Sequence, residues 1–127
     1  MNRQLVANGS PYESIVGFSR AVRVGNFVSV AGTAPIDHYG KTVAIGDAEG
    51  QARSCIIIIK DTLEGAGASL ENVIRTRILL TRIKDWKVVA RAHGDYFWEI
   101  KPVTSIIQVT CFISREWLVE IEADAII

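Results

Sequence analysis

The spacing of apolar and polar residues changes period several times along this chain, and each change marks an element. Phe18 to Val24 reads as a strand, Gly25-Asn26 as a tight turn and Phe27 to Ala31 as a second strand, which together predict a β-hairpin. Gly32-Thr33-Ala34-Pro35 is expected to leave the sheet, and His38-Tyr39-Gly40-Lys41 to form a further turn. Ala48, Ala52, Cys55, Ile56, Ile59 and Leu63 then fall on one stripe of helical period. The run Ile56-Ile57-Ile58-Ile59 would suit a strand by itself. The longer stripe, Asp47 as N-cap and Gly65 as C-cap instead predict a helix to about Glu64, with Ile57 pointing off the stripe.

Val73 to Thr81 alternates, with Ile74, Thr76, Ile78 and Leu80 on one side and Arg75, Arg77 and Leu79 on the other. Asp85 is placed to cap a second helix that runs to about Ile100, and Pro102 stops it. Its stripe is Trp86, Val89, Ala90, His93, Phe97 and Ile100. Val103 to Phe112 reads as a strand, followed by a turn near Ser114-Arg115-Glu116. In the last strand Val119, Ile121, Ala123 and Ala125 alternate with Glu120, Glu122 and Asp124. Residues 1–16 are mixed, with turn chemistry at Asn8-Gly9-Ser10-Pro11.

The order ββαβαββ gives an α+β plan, with two helices on one face of a mixed sheet. The helices are expected over Ile74, Ile78, Val119 and Ile121. The opposite face carries Arg75, Arg77, Glu120, Glu122 and Asp124. Such a mixed-charge face is either solvated or meets copies of itself in an oligomer, where opposite charges pair.

Composition narrows the classes. The 127 residues make one domain, 49% hydrophobic, and Lys+Arg 14 balance Asp+Glu 14. A zero net charge supplies no basic field for nucleic acid and little repulsion between copies, so self-association is permitted. No apolar run approaches the roughly 20 residues that span a bilayer. The N-terminal stretch lacks a secretory apolar segment. Cys55 and Cys111 have no CxxC partner and read as small buried hydrophobes in a reducing, cytoplasmic setting.

Nucleotide-loop, zinc-protease and nucleophile-elbow motifs do not occur, and no cofactor or metal is implied. His38 in its turn is expected to be solvated. His93, on an apolar stripe, is expected to be a hydrogen-bonded packing residue, with a proton-shuttle role left open. Glu120, Glu122 and Asp124 would serve acid–base chemistry if buried, and Arg20, Arg75, Arg77 and Arg82 are candidate anion binders. Pattern alone leads to an oligomeric α+β domain.

Three strings carry more. Val30-Ala31-Gly32-Thr33-Ala34-Pro35-Ile36, Gly65 to Val73 (GAGASLENV), and Pro102-Val103-Thr104-Ser105 followed by Val119-Glu120-Ile121-Glu122-Ala123 occur in this order. Together they resemble the RidA/YjgF family of imine and enamine deaminases, also labelled L-PSP endoribonucleases. The resemblance runs from about Gly17 and implies that residues 1–127 form a single domain of that kind.

What it implies is a chorismate-mutase-like fold and a homotrimer whose sheets build a central barrel. It also implies clefts between neighbouring subunits and cofactor-free hydrolysis of 2-imino acids to ketones and ammonia. Neither nucleic acid nor membrane is implied as a partner. By the resemblance, Glu120 is the cleft glutamate that positions water. Gly32 lies in the loop lining the cleft, the Ile106 backbone lies beside the substrate, Phe18 replaces an aromatic that is usually tyrosine, and in the enzyme reading Thr33, Thr104 and Arg20 bind substrate.

The chain departs from the family pattern at Thr104. The deaminase motif reads Pro-x-Arg-Ser, and Thr104 cannot fork a carboxylate or supply charge. This implies an arginine-lacking branch. Arg20, expected on the same side of the first strand as Phe18, is either a compensating anion binder or the ion-pair partner of Glu120 or Glu122. Two readings follow: an imine or enamine hydrolase with Glu120 at its centre, or a trimer that binds a small metabolite or partner without turnover. Zero net charge and a lack of basic stripes argue against a third, ribonuclease.

Overall fold

The computed structural model describes residues 2–127. The predicted hairpin forms: β2 (Ala21–Val24) pairs antiparallel with β3 (Phe27–Thr33) across Gly25, whose φ of 62° suits the tight turn that L side chains resist. The first strand is shorter than expected, and Phe18 precedes it. The second is longer, because Gly32 and Thr33 stay in the sheet through a register shift between Val30 and Thr33.

Two elements precede the hairpin. Strand β1 (Arg3–Val6) pairs with β2, and helix α1 (Pro11–Val16) starts at Ser10, whose hydroxyl accepts from the Tyr12 amide. Glu13 accepts from the Asn8 amide and closes the start of the helix.

Helix α2 (Ala48–Gly65) begins where Asp47 accepts from the Gly50 amide at 2.9 Å, and it buries Ala52, Cys55, Ile56, Ile59 and Leu63 as predicted. Ile57 faces out. Helix α3 (Trp86–Phe97) buries Val89, Ala92 and Phe97, while Trp86 is exposed. Asp85 does not cap it with its side chain, because that carboxylate binds Arg82 at 2.9 Å. Ion pairs Arg53–Asp95 and Arg91–Glu49 tie the two helices together.

The sheet runs β1-β2-β3-β6-β4-β5, with β4 (Val73–Leu80) parallel to β5 (Val103–Gln108) and antiparallel to β6 (Val119–Ile126). It is an α+β mixed sheet with the core between its strands and α2 and α3. A register shift between Val73 and Arg75 buries Val73 and turns Ile74 outward, against the simple alternation. Strand β5 ends at Gln108, short of Phe112. Cys55 is buried, but Cys111 is exposed, because its segment lies beyond the sheet. Among the described residues no helix is long and apolar enough to cross a membrane.

Candidate functional site

One cavity of about 220 Å³ gathers most of the predicted site: Phe18, Arg20, Gly32, Thr33 and Glu120 all line it. Arg20 enters just ahead of β2, Gly32 and Thr33 from the shifted end of β3, and Glu120 from the start of β6. The rest of the wall is largely apolar and includes Tyr12, Ile58, Ile113 and Trp117. Tyr12 and Trp117 meet edge to face at 5.7 Å, and the Trp117 indole donates to the Thr42 hydroxyl.

A buried glutamine holds this wall. Gln51 is fully buried, donates to the Glu116 carbonyl at 2.9 Å and accepts from the Leu118 amide at 2.8 Å, so it fastens the residues around Trp117 to α2.

Arg20 is 5% exposed. Its guanidinium donates to the carbonyls of Gly32 and Ala31 and to the Thr33 hydroxyl, and its Nε–H has no partner. It stands 5.8 Å from the centre of the Phe18 ring. Of the two readings of Arg20, the ion pair with Glu120 or Glu122 does not form: no carboxylate among the described residues lies within 4.0 Å of Arg20, and Glu122 binds Arg77 at 2.9 Å. Burial lowers the Arg20 pKa, and the more distant carboxylates of Glu13 and Glu120 partly oppose this.

Glu120 faces the same cavity without a side-chain hydrogen bond from the described residues. Burial raises its pKa, Arg20 opposes the rise, and Glu122 adds to it. A Cβ on residue 32 would stand 3.0 Å from Glu120 Oε1, so the glycine is what lets the carboxylate lie against the β3 backbone. Cys55 is not a nucleophile here, because burial pushes its thiol pKa far up.

Thr104 and Ile106 are not part of this cavity. Both lie on β5, the free edge of the sheet, in register with Thr76 and Ile78 of β4. Thr104 Oγ1 lies 2.8 Å from Thr76 Oγ1 and 3.2 Å from the Pro102 carbonyl, and Thr76 Oγ1 lies 2.9 Å from His93 Nε2. Thr76 is fully buried, and His93 stacks on Phe97 at 4.5 Å. His93 is thus the hydrogen-bonded packing residue expected of its stripe, and burial lowers its pKa to about 4. His38 lies exposed in its turn. Arg75 and Arg77 lie on β4, and Arg82 pairs with Asp85, all outside the cavity.

Sequence reasoning missed Tyr12, Ile58, Ile113, Trp117 and Gln51. The string Ser10-Pro11-Tyr12-Glu13 is a legible helix start that would have brought Tyr12 into view. Trp117 and Ile113 carry no such signal, because they lie in an irregular segment.

Comparison with known proteins bears on what this arrangement is. Residues 9–127 match the family model described as Endoribonuclease L-PSP. An uncharacterized protein of Streptomyces coelicolor is 37% identical over 94% of this chain and 89% of its own length. The 3-aminoacrylate deaminase RutC of Acinetobacter baylyi is 30% identical over 95% of this chain and 94% of its own. A crystal structure from Mycobacterium tuberculosis, of a member of the YjgF/YER057c/UK114 family, superposes with a TM-score of 0.91 at 44% identity, covering 99% of this chain and 100% of that one. With the family model matched over nearly its whole length and the fold shared throughout, this chain belongs to the RidA/YjgF family of L-PSP endoribonuclease-like proteins.

Proposed function

We propose that this protein is a small-molecule hydrolase of the imine or enamine type, with Glu120 at its centre and a cleft completed by a neighbouring copy in a homotrimer. The supporting observation is that a partly buried carboxylate, free of hydrogen-bond donors among the described residues, and a buried guanidinium with an unmatched N–H line one largely apolar cavity. The likeness to a 3-aminoacrylate deaminase supports the reaction class.

The chemistry needs no more than these groups. Water held by the Glu120 carboxylate attacks the C=N carbon, and Glu120 takes a proton from it. Glu120 passes that proton to the nitrogen to give the carbinolamine, then takes the hydroxyl proton and delivers it to the same nitrogen as the C–N bond breaks, so that a carbonyl forms, ammonia leaves and the carboxylate is regenerated. A carboxylate whose pKa is raised by burial suits both steps. Arg20, already fixed by the Gly32 and Ala31 carbonyls and by Thr33, offers the anionic end of a ligand a preorganised charge. A second copy is invoked because Thr104 and Ile106 lie outside the Glu120 cavity. The β5 edge that carries them exposes Val103 (57%) and Ile107 (43%), which a partner would cover.

Ammonia release from freshly generated 2-aminoacrylate and from 3-aminoacrylate tests the reading. A rate above free hydrolysis that Glu120→Gln abolishes is the expected result. No acceleration across several imines would overturn it and leave the second reading, a trimer that binds a small metabolite or partner without turnover. The feature that favours the second reading is Thr104, whose uncharged hydroxyl stands where the deaminase motif has arginine. RNA cleavage is not expected from a chain of zero net charge.

A further inference from the structure

The three hydroxyl and imidazole groups behind β5 form a continuous chain. Thr104 Oγ1 lies 2.8 Å from Thr76 Oγ1 and 3.2 Å from the Pro102 carbonyl. Thr76 Oγ1 lies 2.9 Å from His93 Nε2, and each hydroxyl has a single proton, so the chain runs in either sense with the imidazole tautomer. A buried, stacked ring thereby fixes a fully buried hydroxyl, which in turn fixes a hydroxyl exposed on the free edge strand. A lone threonine on an edge strand would rotate freely. Thr104 instead presents an oriented hydroxyl oxygen whose remaining hydrogen-bonding capacity a ligand can take up.

Strand β5 itself brings no charge, while Arg75 and Arg77 of β4 lie in register with Val103 and Ser105. Strand β5 has no ionisable residue from Val103 to Gln108. Lys101, just ahead of it, has its ammonium 3.8 Å from the centre of the Trp98 ring. Burial keeps His93 neutral at ordinary pH. A carboxylate brought here would lose its hydration and meet no cation of this strand.

We infer that Thr104 is the contact for an uncharged hydrogen-bonding group of the ligand, an amide, carbonyl or hydroxyl, and that His93 is a positioning residue that orients this contact through Thr76. The inference rests on the proposal that the β5 edge lines the ligand cleft. It deepens that proposal by assigning the two ends of the ligand: an anionic end at Arg20 and an uncharged end at Thr104.

Calorimetric titration of the intact protein with succinamate and with succinate reads the assignment. The two probes share one carboxylate and differ only in whether the other end is an amide or a second carboxylate. Succinamate is expected to bind about tenfold tighter than succinate. Thr104→Val and Thr76→Val should bring the ratio close to one, Thr76→Ser should keep it, and Thr104→Arg should reverse it. Melting temperatures recorded alongside separate a loss of preference from a loss of fold, and the surface position of Thr104 makes its variant the safer one. Equal or tighter binding of succinate by the native protein, or a ratio unmoved by Thr104→Val, overturns the inference alone if Arg20→Met still weakens both probes. If neither probe binds, or Arg20→Met is without effect, the cleft reading fails and the inference falls with it.

Discussion

Replacing Arg20 by methionine isolates the role of the buried charge, because methionine keeps an unbranched, flexible apolar stem and removes only the guanidinium. The substitution removes donors from Gly32 O, Ala31 O and Thr33 Oγ1. Ala31 O keeps the Thr33 hydroxyl at 2.8 Å, so Gly32 O is the acceptor left unpaired. An orphaned buried carbonyl costs roughly 1–3 kcal/mol, and removing an incompletely matched buried guanidinium returns an amount of the same order. The stability of Arg20→Met near neutral pH is therefore expected to lie within about 2 kcal/mol of the native protein. Ligand binding has no such offset. Losing a charged contact in a desolvated cavity costs roughly 2–5 kcal/mol, so 2-oxobutanoate, the ketone product of an enamine hydrolysis, should bind about 30-fold or more weakly.

The pH dependence gives a second reading of the same variant. Glu120 has a folded-state pKa above its unfolded one, so on raising the pH the unfolded chain loses this proton first. Its contribution to stability therefore falls as pH rises from the ordinary carboxylate pKa to the folded value, and it stays lost above that. Arg20 holds the folded value down, so Arg20→Met pushes it further up and widens the window. Urea denaturation between about pH 4 and 8 should show the variant losing ground to the native protein as pH increases. Binding of 2-oxobutanoate within about threefold of native, or a stability difference that does not change with pH, would refute this account of Arg20.

Three further outcomes follow from other parts of the molecule. Gln51→Leu leaves the Leu118 amide and the Glu116 carbonyl without their buried partner and should cost about 2–4 kcal/mol in urea denaturation, with weaker ligand binding because Trp117 loses its support. His93, depressed to about 4, should remain neutral in imidazole NMR titrations well below pH 6. Because the unfolded chain takes up this proton first, the stability that His93 contributes is present above about pH 6.5 and is lost as the pH falls toward 4. A thiol reagent should label Cys111 in the native protein and Cys55 only on unfolding.

The limits of the sequence reading follow from where period and partner diverge. Strict alternation predicts Ile74 inside, yet Ile74 is 45% exposed and Val73 3%, because one inserted residue reverses parity for everything before it. No residue type announces that insertion. Strand β1 shows no alternation because it is an exposed edge, and α1 buries nothing, so neither leaves an apolar stripe. The long helix and the last strand were legible because one face of each is wholly covered. Thr76 was legible as an inward residue but not as a link, since its partners His93 and Thr104 lie 17 and 28 residues away.

The same distinction decides which acid of β6 forms the site. Glu120, Glu122 and Asp124 are equivalent by spacing, and nothing in their alternation separates them. Their neighbours across the sheet do. Asp124 lies opposite Ser29 and accepts its hydroxyl at 2.9 Å, and Glu122 lies opposite Arg77 and binds it at 2.9 Å. Glu120 lies opposite Leu79 on the β4 side and against Gly32 at the register shift of β3, two residues with no side-chain donor to give. Two carboxylates are satisfied by the ladder, and the third is left facing a cavity with its pKa raised by burial. The register of three strands thus leaves Glu120 as the unpaired carboxylate, and if the proposed hydrolysis runs through it, a donor introduced at residue 79 should depress ammonia release as much as a change at Glu120 itself.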